Sequence, residues 1–154
     1  MILDVLDQVM STYAPTAVAA AFEDYIDRIV KMENGSGNPI DVLIQVAAAV
    51  TSTGAATVQF QAIGNPTDPT FASGNIVLWD SGAIGKATLT AGYLIRGTIK
   101  SQAYDTLESG AVFCRYLTIL VTIGTEVLSA GTFNGWFKDT RTQDNLSYPA
   151  GYDV

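Results

Sequence analysis

IDVLIQVAAAV, residues 40–50, and AATVQFQAI, residues 55–63, decide the fold. In the first run Ile40, Val42, Ile44, Val46, Ala48 and Val50 fall on alternate positions. In the second, Ala56, Val58, Phe60 and Ala62 alternate with Thr57, Gln59 and Gln61. A period of two sends successive side chains to opposite faces of an extended strand, so each run has one apolar face to bury. The linker Thr51-Ser52-Thr53-Gly54 is short and contains glycine, which predicts that the two runs form an antiparallel hairpin.

Downstream, GNPTDPTFASG (64–74) is a turn-rich connection. Pro69 has no amide proton to donate, and Asp68 before it is biased toward extended geometry. Asp68 is expected to close an Asx-type turn, and Phe71 to plug the end of the folded body. Residues 75–80 read as a strand with Ile76 and Leu78 on one face and Val77 and Trp79 on the other. Both faces are apolar, so one is assigned to the core and the other to a partner or a covering arm. Ser81-Gly82 reads as a turn that ends this strand at Asp80, and Leu89-Thr90-Ala91-Gly92 as a turn before a strand at 93–99. Lys100–Gly110 is polar and reads as a surface loop. Residues 112–124 are the most strand-like run, with Leu117, Ile119, Val121 and Ile123 on one face and Thr118, Leu120 and Thr122 on the other. TFNGWFK (132–138) reads as the last strand.

Upstream, Asn34–Pro39 is a loop. Residues 16–31 are Ala-rich, and Val18, Phe22, Ile26 and Ile29 have helical spacing. In residues 1–15, Ile2, Leu3, Leu6, Val9 and Met10 share a helical face, but so short a helix is marginal in water without tertiary support. An extended arm that pairs with a neighbouring subunit is the alternative. Many short strands divided by Gly and Pro turns define an all-β chain, either a β-sandwich or a barrel.

The 154 residues fit one domain, large enough to bury about 70% of the unfolded surface without a disulfide or metal. The lone cysteine, Cys114, sits in an apolar run and reads as a small core side chain. The chain has no histidine, which excludes Ser-His-Asp and Cys-His machinery and His-ligated zinc. With 8 basic and 15 acidic residues the net charge is −7, and the basic residues form no sequence cluster. Nucleic-acid affinity comes mainly from Lys and Arg displacing counterions, so this balance argues against DNA or RNA as a partner. No apolar run approaches the ~20 residues a membrane-spanning helix needs, and Met1-Ile2-Leu3-Asp4 lacks the basic region of a secretory signal.

Candidate chemistry is sparse. Asp68 and Asp80 could in principle approach each other as a carboxylate pair, but turn and strand-end roles account for both. Asn65, Asp68, Asp105 and Glu108 offer oxygens in loops without the spacing of a calcium loop. Gly82, Gly85 and Gly92 precede no helix that could hold a phosphate. No catalytic, cofactor or metal residue is assigned. The aromatic residues Trp79, Tyr93, Trp136 and Tyr148 carry more weight, because such side chains anchor interfaces.

The run GAATVQFQAIGNPTDPTFASGNIVLWDSGAI (54–84), followed by LTAGYLIRGTI (89–99), resembles the core of tailed-phage capsid cement, or head decoration, proteins with a jelly-roll fold. The likeness weakens through the apolar strand to Phe137 and returns at Ser147-Tyr148-Pro149-Ala150-Gly151. Residues 16–31 are more Ala-rich than the pattern, and 100–110 match nothing in it. The resemblance implies an antiparallel jelly-roll sandwich over residues 16–138, with an extended N-terminal arm at 1–15 and an extended C-terminal tail at 139–154. It puts a strand near Tyr25-Ile26-Asp27, and a strand is expected at about Glu23–Asp27. It further implies a non-enzymatic, cofactor-free structural virion protein, made in the host cytoplasm and carried on the outer surface of the expanded head. Its partners would be the major capsid protein and further copies of itself, as a dimer or trimer. Contact would come from Ile2, Leu3 and Leu6 of the arm, Trp136 and Phe137, and Tyr148, Pro149 and Tyr152 of the tail. Deleting residues 1–12 is then expected to weaken capsid binding and leave the fold intact. The alternative is a carbohydrate- or receptor-binding sandwich of a phage particle, with Trp136 beside Asn134 as its platform.

Overall fold

The structure, a computed structural model of the chain, describes residues 8–15, 18–27, 40–99 and 114–139. These residues contain no helix and nine strands: β1 (Gln8–Tyr13), β2 (Ala20–Ala21), β3 (Ile26–Asp27), β4 (Ile40–Thr51), β5 (Thr57–Asn65), β6 (Ile76–Gly85), β7 (Leu94–Ile99), β8 (Tyr116–Gly124) and β9 (Ala130–Asp139). They form two antiparallel sheets, ordered β1-β9-β4-β7 and β2-β8-β5-β6, with β3 also on β8. If β2 and β3 count as one interrupted strand, the pairs are nested: β1 with β9, β2/β3 with β8, β4 with β7, and β5 with β6. This is the strand order of a jelly roll, an eight-stranded double Greek key.

The alternation read in residues 40–63 is present: Val42, Ile44 and Val46 of β4 and Val58, Phe60 and Ala62 of β5 are buried. The predicted hairpin is not. β4 pairs with β7 and β9, whereas β5 pairs with β6 and β8. The linker carries the chain from one sheet to the other, and the two apolar faces meet across the core. Alternation specifies which face a strand buries; it does not specify which strand lies beside it. The alternation in β4 also stops early. Residues 47–49 are exposed where the pairing with β9 slips twice, between Val46 and Ala48 and between Ala48 and Thr51.

Phe60 of β5 and Phe133 of β9 join the sheets at the centre, edge to face with ring centroids 5.0 Å apart. Leu117, Ile119, Val121 and Ile123 of β8 all point inward, as their spacing predicts. The open side between β6 and β7 is filled by Trp79, whose ring lies on Gly97 so closely that a Cβ there would be 2.1 Å from Cε2.

Several expectations need correction. Ser81-Gly82 does not end a strand. β6 continues to Gly85, and the pair is a bulge opposite Gln59–Gln61. Gly82 takes φ +69, which glycine adopts without strain, and the Ser81 hydroxyl accepts the Phe60 amide at 3.0 Å where the ladder is interrupted. Phe71 does not plug an end of the sandwich. With Ile63 and Tyr116 it forms a second buried cluster, packed by Phe22 and Leu120, on the outer face of the β5–β8 pair. Residues 8–13 are not part of an arm. They form β1 in the chain's own sheet, and Val9 and Met10 are core residues. The helical spacing of residues 16–31 loses to pairing with β8: the described part forms β2 and β3, and Asp27 is held by a bidentate ion pair with Arg115.

Candidate interaction surface

The outer face of the β1-β9-β4-β7 sheet is set by the residues that alternate with the core positions. Its cross-strand register gives three rows. Leu94, Gln45 and Asn134 form the first; Arg96, Leu43, Trp136 and Gln8 the second; Thr98, Asp41 and Lys138 the third. Leu94 is exposed, while Leu43 is buried between its row neighbours. Thr98 Oγ1 donates to Asp41 Oδ1 at 3.0 Å. Beside these residues is an open pocket of about 190 Å³, lined by Asp41, Val42, Leu43, Arg96, Gly97, Thr98 and Lys138. β1 begins at Gln8 opposite Trp136, and β9 ends at Asp139 opposite Ile40, so the first strand starts and the last strand finishes at the same end of this sheet as the pocket.

Of the residues nominated from sequence, Trp136 is half-buried on this face. Phe137 is not available to a partner. It follows the inward phase of β9, is 4% exposed and belongs to the core. Ile2, Leu3, Leu6, Tyr148, Pro149 and Tyr152 lie outside the described residues. The carbohydrate platform imagined at Trp136 and Asn134 has a prior commitment: Asn134 Oδ1 accepts the Thr12 amide at 2.7 Å. Sequence reasoning missed Arg96, Thr98 and Lys138. Arg96 and Thr98 belong to β7 and Lys138 to β9, and only the β4-centred register brings the two strands' residues together.

The carboxylates weighed as catalytic are engaged in structure. Asp68 accepts the Thr70 hydroxyl and amide and the Ala72 amide, which closes the predicted Asx turn. Asp80 accepts Gln59, Gln61 and the Gly82 amide. These bonds hold both groups below the usual carboxylate range, led by the Thr70 hydroxyl for Asp68 and the Gln59 amide for Asp80. Burial, with a smaller push from Glu23, raises the Tyr13 phenol. Asn65 spends its amide on Ser73 and Asn75 and its carbonyl on the Thr67 and Asp68 amides, so it braces the 66–75 loop. Asp105 and Glu108, the other calcium candidates, lie outside the described residues. Among the described residues no three His, Cys, Asp or Glu side chains gather as a metal group. Cys114 is buried at the Gly64 backbone.

No curated protein matches the sequence. The family model described as Bbp16 matches residues 10–136, a span that runs from β1 to β9 and takes in every strand of both sheets. The chain belongs to the phage-related Bbp16 family.

Proposed function

We propose that this protein is a capsid cement, or decoration, protein. It binds the outer surface of the expanded phage head and bridges adjacent capsomers of the major capsid protein against the pressure of packaged DNA. The observation that carries this reading is where the first and last described strands meet on the jelly-roll body. β1 starts and β9 finishes at one end of one sheet, beside Trp136 and the pocket. In sequence, Ile2, Leu3 and Leu6 precede Gln8 and Tyr148, Pro149 and Tyr152 follow Asp139, so both nominated groups are joined to the body at that end. We read this end of the sheet as the one that faces the capsid. The resemblance over residues 54–99 and the phage-related family support the same reading.

Self-association completes the mechanism. Two or three copies that bind neighbouring capsomers make modest contacts act jointly, which raises effective affinity by roughly 10² to 10⁴ when the geometry fits. A surface offered only by the expanded shell makes binding stabilise that shell selectively. The test is cosedimentation of the purified chain with unexpanded procapsids and with expanded heads of its phage. Saturable binding to expanded heads alone is the expected result. Absence of binding to both refutes the proposal.

A further inference from the structure

We infer that the pocket between Arg96 and Lys138 is a receptor for a single carboxylate side chain of an acidic segment on the major capsid protein. The identity of that partner rests on the cement reading; the carboxylate chemistry does not. The described residues contain four cationic side chains: Lys86, Arg96, Arg115 and Lys138. Two are engaged within the chain, Lys86 on the Ser52 carbonyl at 2.7 Å and Arg115 on Asp27. The remaining two, Arg96 and Lys138, line the same pocket, and among the described residues neither forms an ion pair or hydrogen bond. Lys138 is only 8% exposed. A lysine buried to that degree, with only the Asp41 carboxylate beside it to share with Arg96, is favoured by a partner that supplies a second anion.

The remaining groups define the ligand. Asp41 lies opposite Lys138 in the register, and its Oδ1 accepts the Thr98 hydroxyl. Two cations and one anion leave a net charge of +1, which matches one carboxylate and disfavours a dianionic phosphate. The volume of about 190 Å³ holds roughly six waters, enough for a carboxylate and the end of its side chain. Leu43 and the Gly97 backbone form its apolar wall. The surface elsewhere belongs to a chain of net charge −7, so an acidic partner is repelled broadly and admitted here, which fixes orientation as well as affinity.

The pocket is tested with the full chain, isotope-labelled for NMR and titrated with a blocked peptide carrying one glutamate. Shifts are expected at the amides of Arg96, Gly97, Thr98 and Lys138, and they are expected to vanish in the Arg96→Gln/Lys138→Met variant, which keeps the lysine's apolar stem. The same variant should cosediment with expanded heads at least about tenfold more weakly. If it fails to fold by circular dichroism, Arg96→Gln alone, at an exposed position, replaces it in both assays. A peptide that leaves the four amides unmoved overturns the inference, as does inorganic phosphate moving them more strongly. Equal head binding by wild type and variant overturns the capsid assignment while the cement proposal stands. Wild type that binds no heads sinks the cement proposal, and the peptide titration still decides the pocket.

Discussion

Replacing Gly97 with alanine tests how the sandwich is closed between β6 and β7. The new Cβ would sit 2.1 Å from Cε2, 2.3 Å from Nε1 and 2.6 Å from Cδ2 of Trp79. Ordinary contact begins near 3.4 Å, so the rigid indole must retreat by about 1.3 Å or swing outward. Overpacking of this kind costs typically 1–3 kcal/mol, and about 2 kcal/mol is expected here because Trp79 is partly buried and can yield. For a chain of this length that lowers the thermal midpoint by about 4–8 °C. Without the obstructing ring the sign changes: alanine in a strand interior is favoured over glycine by roughly 0.5–1 kcal/mol. Urea unfolding of wild type, Gly97→Ala, Trp79→Ala and the double variant, followed by circular dichroism, closes the cycle. A coupling energy of about 2 kcal/mol or more is expected. If Gly97→Ala costs the same with and without the indole, the close packing argued for Trp79 is wrong.

Three further outcomes follow from the packing and electrostatics. Deleting residues 1–12 removes most of β1 and the buried Val9 and Met10, a loss of roughly 3–6 kcal/mol in apolar burial, so the truncated chain should unfold at low urea; native-like circular dichroism at wild-type urea concentrations would contradict this. Phe71→Ala should cost up to about 3–5 kcal/mol and speed amide exchange in residues 66–75 and β3 more than in β4 and β9, because Phe71 belongs to the outer cluster; uniform acceleration would show that the two clusters are one unit. Asp80 has its folded pKa lowered below the ordinary 3.8, so its contribution is full above the unfolded value and is lost as pH falls through the folded one; urea midpoints should decline below about pH 4, and Asp80→Asn should flatten that decline.

What the sequence reveals here is local. In residues 117–123 only Leu120 interrupts the apolar–polar alternation, and β8 buries the predicted side, together with Thr118. Asp68 stands two residues before Thr70 in a Pro-rich stretch, and the Asx turn forms there. Pairing partners are a different kind of information. β4 and β5 each bury the correct face, yet each finds its neighbours among strands distant in sequence, and a short linker serves a sheet crossing as well as a hairpin. The bulge at Ser81-Gly82 uses the residues of a turn. Phe71 reads as apolar in any setting, and only the tertiary fold shows that the outer face of β5–β8 needs a cover. Helical propensity misleads in the described residues 18–27 because pairing with β8 outweighs a few tenths of a kcal/mol per residue. The pocket was the least legible feature. Arg96 and Lys138 become neighbours only because β4 pairs with both of their strands.

The nested pairing also has a temporal consequence. Among the described strands β1 is the first to leave the ribosome, and its sheet partner there, β9, is the last. Until β9 emerges, Val9 and Met10 lack the strand that pairs with theirs. Pairings this distant in sequence are reached slowly, since the loop they close must be ordered before any contact rewards it. The end of the sheet proposed to grip the capsid is therefore complete only once β1 and β9, far apart in sequence, have paired.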